Sequence, residues 1–345
     1  MKYVKCVVWD LDNTLWDGTL LEGDAVSLKP GIKEILKTLD ERGILNSIAS
    51  KNDLSDVMQK LEEFEIAHYF LVPQVGWGAK STAIARIAEQ ININRDTLVF
   101  IDDQPFERDE VASVYPEVMI VDAIDYKELI NMERLNPKVI TEDSKRRRQM
   151  YLEQEKRVYD ETHYEGTSIE FLESLNMEIR ISRAQEYDLK RAEELTIRTN
   201  QLNSTGIQYG YDELKELLDV PSYDVWVCEL TDKYGSYGKI GLVLVEHIDN
   251  RSIIRLLLMS CRTVSRGVGT VLLSFLMKRA KSAQEVLQAD FIRTDRNRQM
   301  LITYQLANFV QKKKEDKRIL FENDLSIIQE YPPYIKIIVD DERKK

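Results

Sequence analysis

The sequence predicts two domains, an α/β domain built on a parallel sheet and then an α+β domain with a mixed sheet. The chain has 345 residues, which is too long for one small hydrophobic core and suits two domains of ordinary size. Through about the first 130 residues, apolar β-branched runs alternate with amphipathic stretches, as in a parallel sheet with crossover helices. In the second half, three strand-like runs follow one another between helices, which favours a mixed sheet.

The elements of the first domain follow from this alternation. The apolar run 4–9 predicts a buried strand, and 30–42 carries apolar residues at helical spacing. The same pattern then predicts strands at 44–49, near 69–73, 97–101 and 118–121, and helices at 53–64, 79–90 and 106–114. In a parallel sheet the carboxyl ends of all these strands lie along one edge, where open α/β sheets bind their ligands.

The amino-acid composition changes after the first domain. Residues 137–167 are highly charged and poor in turn residues, which predicts a charged helical linker between domains 1–136 and 168–345. The second domain is predicted to contain helices 168–175, 186–197, 267–281 and 297–307 and strands 177–182, 223–230, 239–247, 252–260, near 289–293 and near 334–339.

Composition excludes several classes of function. The net charge of -11 and the pI near 5.1 argue against binding of nucleic acid, and neighbouring acids offset the basic run 145–148. The three cysteines lie far apart in the chain, so neither a disulfide framework nor a zinc site is indicated. No window approaches the length of a membrane span. We expect a cytoplasmic enzyme without nucleic-acid or membrane partners.

Two acidic residues follow the first buried strand, in VVWDLDNTLW (7–16). Asp10 and Asp12 would repel each other at the end of a strand unless a cation lay nearby, since like charges raise each other's pKa. Mg²⁺ prefers one or two carboxylates together with phosphate oxygens. This pair therefore predicts a magnesium site that acts on phosphate.

Further polar residues stand at the ends of the neighbouring strands. Ser50 ends the run ILNSIAS, Lys80 opens the helix KSTAIARIAEQ, and Asp102 and Asp103 end the strand TLVFI. A nucleophilic carboxylate, a general acid, a hydroxyl and a lysine for phosphate oxygens and a distal acid for a metal form a complete phosphoryl-transfer site. Taken singly, these residues would be a helix cap, a surface charge and a turn.

In this order, DLDNT, Ser50, Lys80 and the Asp102–Asp103 pair resemble the haloacid dehalogenase superfamily. The resemblance implies a Rossmann-like fold and an aspartyl-phosphate on Asp10, with Asp12 as the acid and base.

The same resemblance implies that Ser50 and Lys80 hold the phosphoryl group, with Thr14 and Asn52 as further substrate contacts. It implies Mg²⁺ on Asp10, the carbonyl of Asp12 and one of the two later acids, Asp102 or Asp103, with Asp103 favoured. The stretch between Trp16 and Pro30 is too short for a cap domain, which suits an open site and a phosphate carried on a large substrate.

A second constellation stands where the strand 252–260 meets the next helix. Ser260, Cys261 and Arg262 lead into a turn that carries Arg266, Gly267 and Gly269. A strand, a turn and a helix amino terminus form an anion cradle, because free N–H groups point at the ligand. The spacing resembles the pyrophosphate-binding loop of Gcn5-related acyltransferases, with Val264 as a departure. A thiol beside arginines can act as a nucleophile, although a small half-buried residue is the alternative interpretation of Cys261.

Over nearly its whole length the chain resembles the FkbH-like proteins of polyketide biosynthesis. The segments that carry this resemblance are the cap-less phosphatase-type domain, Thr141–Asp143 with Met150 and Tyr151, the Thr199–Asn203 segment and Ser260–Arg262. Leu202 and Ser265 are departures. The resemblance implies a glyceryl transferase and phosphatase. Such proteins take a phosphoglyceryl unit from 1,3-bisphosphoglycerate, hold it as a thioester, dephosphorylate it and load glyceryl onto the phosphopantetheine arm of an acyl carrier protein.

In this interpretation Cys261 is the acyl acceptor and His247 is a candidate base for a thiol. Asn200, Gln201 and Asn203 are candidate contacts for the glyceryl hydroxyls or the pantetheine amides. The alternatives are a strand-end polar residue for His247 and a capped loop for the other three. A second function also stays open, a cap-less Mg²⁺-dependent phosphatase fused to an N-acyltransferase or a recognition domain.

Overall fold

The computed structural model describes residues 2–341 of the chain. The chain forms two compact units that divide between Leu152 and Glu153. Each unit has its own sheet and its own hydrophobic core.

The first unit is an α/β sandwich around a parallel sheet. Its strands are β1 (Cys6–Trp9), β2 (Trp16–Asp17), β3 (Ser27–Leu28), β4 (Leu45–Ser50), β5 (Gln74–Val75), β6 (Leu98–Asp102) and β7 (Met119–Asp122). Its helices are α1 (Ile32–Glu41), α2 (Leu54–Glu63), α3 (Lys80–Gln90), α4 (Pro105–Val114) and α5 (Glu142–Lys145), followed by α6 (Arg147–Thr162), which continues past Leu152.

The main sheet has the order β5-β4-β1-β6-β7, and every neighbouring pair is parallel. The central strand β1 is apolar throughout because both of its faces are buried. Val7 and Trp9 pack into one core and Cys6 and Val8 into the other. Strands β2 and β3 pair as a short antiparallel ribbon between β1 and α1, so this connection adds no cap domain.

The second unit is an α+β fold. Its helices after α6 are α7 (Ser168–Ser174), α8 (Leu189–Arg198), α9 (Tyr211–Asp219), α10 (Val268–Ala283) and α11 (Arg298–Leu306). Its strands are β8 (Met177–Arg183), β9 (Tyr223–Asp232), β10 (Gly235–Ile248), β11 (Arg251–Met259), β12 (Val286–Ile292), β13 (Val310–Glu315), β14 (Arg318–Asn323) and β15 (Ile335–Asp340).

These strands form one mixed sheet in the order β13-β14-β12-β11-β10-β9-β8-β15. The pairs β11–β12 and β15–β8 are parallel, and the others are antiparallel. Helix α10 packs on the sheet, with the ring of Phe275 edge-on to Trp226 at 5.0 Å between centroids. The predicted fold class, a parallel α/β sheet followed by an α+β unit with a mixed sheet, is confirmed.

The segment 137–167 differs from the predicted linker, because its two halves belong to different units. Met150 is buried with the first unit. In the second unit the guanidinium of Arg157 is almost fully buried and donates to the carboxylate of Asp232 at 2.6 Å and 2.8 Å. A buried arginine needs such a partner, so this charged stretch serves packing as well as solubility.

Candidate functional site

The site of the first unit lies at the carboxyl edge of the parallel sheet. Asp10 follows β1, Ser50 ends β4, Lys80 opens α3 and Asp102 ends β6. Because β1 lies between β4 and β6 in a parallel sheet, these ends converge. The structure therefore brings together residues that the sequence separates by up to about ninety positions, as the motif order predicts.

Lys80 is the centre of this cluster. Its Nζ lies 2.5 Å from Asp10 Oδ1 and 2.9 Å from Asp102 Oδ2, and it donates to the carbonyl of Ala49 at 2.8 Å. All three charged side chains are buried. Desolvation alone would lower the pKa of Lys80, but the charges of Asp10 and Asp102 outweigh it and raise that pKa above its ordinary value. Lys80 is therefore held as a cation.

The carboxylates around Lys80 suit a hard divalent cation. Asp10, Asp102 and Asp103 each place one oxygen within 4.8 Å of the others. Within the described chain, Asp103 Oδ1 is buried and has no hydrogen-bond partner. Burial, with the charge of Asp102, raises the pKa of Asp103. An unsatisfied buried oxygen beside two further carboxylates fits the oxygen ligands that Mg²⁺ prefers, and both later acids belong to the group.

Burial also affects the nucleophile expected at Asp10. Desolvation raises the pKa of Asp10 to about 7, with the charge of Lys80 opposing the rise and that of Asp102 adding to it. Burial thus favours the neutral form of this carboxyl. A divalent cation would favour its charged form.

Asp12 is fixed by donors on both of its oxygens. Its Oδ1 accepts from the indole of Trp16 at 2.8 Å and from the amide of Leu20 at 3.0 Å. Its Oδ2 accepts from the amide of Asn52 at 2.9 Å, and Asn52 also donates to Ser50 Oγ at 3.1 Å. Asn52 thus orients the expected acid and base together with a phosphate-binding hydroxyl, rather than offering its donors freely to a substrate.

Thr14 has a structural role instead of the predicted substrate contact. Its side chain is fully buried, and its Oγ1 accepts from the main-chain amide of Asp103 at 3.1 Å. The hydroxyl therefore fixes the loop that carries one of the candidate metal ligands.

A cavity of about 310 Å³ adjoins this cluster, and its lining was only partly predicted. We call it the α3 cavity; it is lined by Ser50, Gln74, Val75, Gly76, Trp77, Gly78, Ala79, Lys80, Thr82, Ala83 and Arg86. Trp77 is 72% exposed and stands between two glycines. The sequence signal for this part of the lining was a tryptophan between two glycines, three residues before Lys80.

The second unit has a cavity where β11 passes into α10, also of about 310 Å³. We call it the α10 cavity; it is lined by Leu202, Met259, Thr263, Val264, Ser265, Gly267, Val268, Gly269, Thr270, Leu273, Gln299, Ile302, Thr303, Leu306, Ala307 and Gln329. Gly267 has φ +75°, and a Cβ there would lie 3.2 Å from Pro332, Tyr334 and Ile335. The loop predicted to bind an anion, which carries Gly267 and Gly269, thus lines this cavity.

Cys261 is not part of this lining, although Met259 and Thr263, two residues to either side of it in sequence, are. It begins a single turn of 3₁₀ helix, Cys261–Thr263, and is half-buried. Burial raises the pKa of both Cys6 and Cys228 and makes them poor nucleophiles. Cys261 is thus the accessible thiol of the chain's three cysteines.

The two predicted arginines of this loop have structural contacts. Arg262 Nη2 donates to the carbonyl of Tyr237 at 3.0 Å. Arg266 is buried, pairs with Glu161 at 2.8 Å and lies over the ring of Phe171 at 5.8 Å. Their predicted role in binding substrate is therefore corrected for Arg266, whose charge is already neutralised by a carboxylate from α6.

His247 lies at the wrong end of its hairpin to act on Cys261. It pairs with Ser252 next to the β10–β11 turn, whereas Cys261 follows Met259, which pairs with Gly241. Six strand residues separate the two ends, or about 20 Å.

The imidazole of His247 instead lies between two carboxylates. Nε2 is 3.3 Å from Asp224 and Nδ1 is 3.1 Å from Glu285. The predicted role as a base for the thiol is wrong, and the alternative of a strand-end polar residue holds.

The Asn200–Asn203 segment is also a structural loop. Asn203 is fully buried; its Oδ1 accepts from the amides of Thr205 and Gly206, and its Nδ2 donates to the carbonyl of Thr199 at 3.4 Å. Asn200 is half-buried and Gln201 is exposed, and neither lines the α10 cavity. The capped-loop alternative therefore describes Asn203.

The chain resembles known phosphatases in its first unit. Residues 18–114 match the family model of haloacid dehalogenase-like hydrolases. Magnesium-dependent phosphatase 1 of Homo sapiens is 30% identical over 119 residues, which cover 29% of this chain and 68% of that protein.

Solved structures are similar to each unit. One is the N-terminal part of a Bacteroides fragilis protein containing a phosphatase domain complexed with Mg, at 30% identity and a TM-score of 0.33. The match covers 39% of this chain and 40% of that one. The ribosomal-protein-S18-alanine N-acetyltransferase of Escherichia coli is 13% identical, covers 44% of this chain and 97% of its own, and has a TM-score of 0.35. Among the described residues, no helix has the length and apolar character to cross a membrane.

Proposed function

Because the chain belongs to the haloacid dehalogenase-like hydrolases, we propose that its first unit is a Mg²⁺-dependent phosphomonoester hydrolase that works through an aspartyl-phosphate. The observation that carries this proposal is the buried cluster of Asp10, Lys80, Asp102 and Asp103. A buried nucleophile held by a cation, beside unsatisfied carboxylate oxygen, is suited to phosphoryl transfer.

In the first step, a carboxylate oxygen of Asp10 attacks phosphorus while the ester P–O bond breaks. The departing alkoxide takes a proton from Asp12, which its three donors hold in place. In the second step, Asp12 takes a proton from water, the resulting hydroxide attacks the phosphoryl group, and inorganic phosphate leaves Asp10. Ser50 and Lys80 stabilise the phosphoryl oxygens throughout.

The residues present fit Mg²⁺ at this site. Asp10, the carbonyl of Asp12, Asp102 and Asp103 would hold the ion, which supplies positive charge to the phosphoryl oxygens when bound. The proposal therefore includes that hydrolysis requires Mg²⁺ and that these residues bind it.

Hydrolysis of p-nitrophenyl phosphate, with and without Mg²⁺, tests the proposal. We expect Mg²⁺-dependent turnover that falls at least about 10³-fold in Asp10→Asn, because the nucleophile is lost. Asp109→Asn is the matched control, since this exposed aspartate of α4 lies outside the cluster, and it should keep full activity. Equal activity in Asp10→Asn and the parent protein would overturn the proposal.

We further propose that the second unit carries acyl transfer through Cys261. The observation that favours this is a half-buried thiol in the turn that leads into the lining of the α10 cavity, while the other two thiols are buried. In this proposal the thiolate attacks the acyl carbon of 1,3-bisphosphoglycerate, the bond to the acyl phosphate breaks, and phosphate leaves. The pantetheine thiol of an acyl carrier protein then attacks the thioester, receives the 3-phosphoglyceryl group and releases the Cys261 thiolate. Hydrolysis of the remaining 3-phosphate ester by the first unit, before or after this transfer, leaves the glyceryl group.

The intact mass of the protein after incubation with 1,3-bisphosphoglycerate, with and without carrier protein, tests this second proposal. We expect a three-carbon acyl adduct that carrier protein discharges and that is absent in Cys261→Ala. Ser265→Ala, a change in the same loop, should still acquire the adduct. An adduct on Cys261→Ala would contradict the assignment, and binding of acetyl-CoA without any need for a carrier protein would support an N-acyltransferase instead.

A further inference from the structure

The α3 cavity begins at the phosphoryl-binding residues. Ser50 and Lys80 line one end, and the face of α3 that carries Ala83 and Arg86 extends away from them. The turn from Gln74 to Gly78 supplies the rest of the lining, together with Ala79 and Thr82. A phosphomonoester bound at Asp10 would therefore place its alcohol group in this cavity.

The charges of this lining are two cations and no carboxylate. Lys80 is already paired with Asp10 and Asp102. The exposed guanidinium of Arg86 has no hydrogen-bond or ion-pair partner within residues 2–341. A planar guanidinium with five donors is suited to carboxylate and phosphate oxygens, so the cavity offers one free anion-binding group.

The position of Arg86 fixes the spacing of the anions that the cavity can bind. Arg86 stands six residues after Lys80 on α3, or about 9 Å along the helix axis. Both residues line the same cavity of about 310 Å³, so a small molecule can reach the two groups together. The second anion of a ligand would thus lie only a few carbon atoms from its phosphate.

The size and the wall of the cavity agree with a small organic group. A volume of about 310 Å³ is at the lower end of the range for small-molecule sites. Trp77 is part of the lining and highly exposed, in a turn where Gly76 has φ +154° and Gly78 has open space around it. The ring supplies apolar contact for a short carbon skeleton.

We propose that the α3 cavity binds the leaving group of the phosphatase substrate and that Arg86 selects phosphomonoesters carrying a second anionic group. This inference rests on the proposed phosphatase activity and names the substrate class of that site. Arg86 is a specificity-determining residue in it, with no part in the chemical step.

Three phosphomonoesters with a three-carbon skeleton test whether the cavity selects a second anionic group. Glycerol 3-phosphate has no second anion, 3-phosphoglycerate adds a carboxylate, and glycerol 1,3-bisphosphate adds a phosphate. We expect kcat/KM to be at least about tenfold higher for one or both substrates with a second anionic group than for glycerol 3-phosphate, as for a charge-assisted hydrogen bond. The carboxylate and phosphate arms show which anion is preferred.

Arg86→Gln should abolish this preference by lowering kcat/KM for the substrates with a second anion far more than for glycerol 3-phosphate, and Arg86→Lys should restore part of it. Arg146→Gln removes an exposed arginine near α5 and should leave the preference unchanged. A preference that survives in Arg86→Gln, or a parent protein with no preference, would overturn the inference.

Binding to Asp10→Asn by titration calorimetry separates this inference from the proposed activity. The same tenfold difference in affinity, lost on adding Arg86→Gln, supports the cavity assignment without any turnover. Hydrolysis of p-nitrophenyl phosphate with no anion preference would overturn the inference alone. Absence of all phosphatase activity, with the affinity difference present, would overturn the proposed function alone.

Discussion

Replacement of Lys80 by methionine should destabilise the metal-free protein strongly. The Nζ of Lys80 is the partner of two buried carboxylates, at 2.5 Å from Asp10 and 2.9 Å from Asp102. The side chains are 4%, 10% and 1% exposed, respectively, so water cannot take the place of the ammonium group. Methionine keeps much of the volume and removes the charge.

The magnitude follows from the cost of an unpaired buried charge. Removing one partner of a buried pair typically lowers the free energy of unfolding by about 3–5 kcal/mol. Both carboxylates lose their cation here, so the upper part of that range is expected at pH 8. Mg²⁺ should return part of the loss, since a divalent ion bound to the native state stabilises it by mass action.

The loss should depend on pH with a definite sign. Burial already raises the pKa of Asp10 to about 7, and without Lys80 that pKa rises further. A carboxyl whose native pKa is raised destabilises the native state as the pH rises through that value. The deficit of Lys80→Met relative to the parent should therefore shrink between pH 8 and pH 5.

Urea unfolding in EDTA, at both pH values, measures this effect. Lys37→Met is the control, because its pair with Glu41 lies at the surface at 3.9 Å and is worth at most about 0.5 kcal/mol. A loss below about 1 kcal/mol for Lys80→Met, equal at both pH values, would refute the account of a buried charge cluster.

Three further outcomes follow from the structure. The affinity for Mg²⁺, measured by calorimetry, should rise about tenfold from pH 6 to pH 8, because the pKa of Asp10 near 7 makes binding release a proton; a flat profile would exclude Asp10 as a ligand. Asn203→Ala should lower the free energy of unfolding by about 1–3 kcal/mol, because it leaves the buried amide of Thr205 and the part-buried amide of Gly206 without their acceptor, while Gln201→Ala should change it little. Gly267→Val should cost at least about 1–2 kcal/mol, since φ is +75° there; unchanged urea stability would contradict the described turn.

The site at the carboxyl edge of the first unit could be predicted because strands and helices alternate regularly in the sequence. Apolar strands of a parallel sheet end along one edge, so Asp10, Ser50, Lys80 and Asp102 converge once the alternation of strands and helices is recognised. A sequence motif does not show whether a polar side chain contacts substrate or supports a loop. Thr14 is a hydroxyl in the right motif, and only its burial and its bond to Asp103 show that it holds a loop.

The second unit shows where sequence patterns fail. The predicted strands 239–247 and 252–260 carry no pairing. The separation of His247 from Cys261 therefore became clear only when β10 and β11 were seen to form an antiparallel hairpin with these residues near opposite ends. The edge strand β13, VQKKKE, is exposed at every position and lacks the alternation of a half-buried strand. Arg266 was predicted to bind substrate. Its actual partner, Glu161, lies more than a hundred residues earlier, so nothing near Arg266 in the sequence indicated this ion pair.

The segment 137–167 illustrates the same limit. Its charge density favoured a solvated linker, yet Arg157 is buried against Asp232 and two aromatic rings, Tyr234 and Tyr237. Long-range pairing of charges has no local signature. The fold class survives such errors because it depends on the order of elements and not on the partners of single side chains.

The most direct test of the central claim is the identification of the phosphorylated residue. Asp12→Asn should slow hydrolysis of the intermediate, so rapid acid quenching after addition of p-nitrophenyl phosphate and Mg²⁺ should trap phosphate on the protein. The account predicts an acyl phosphate, cleaved by hydroxylamine, on the peptide that contains Asp10 and absent from Asp10→Asn. Turnover without a trapped adduct, or an adduct on another residue, would contradict it.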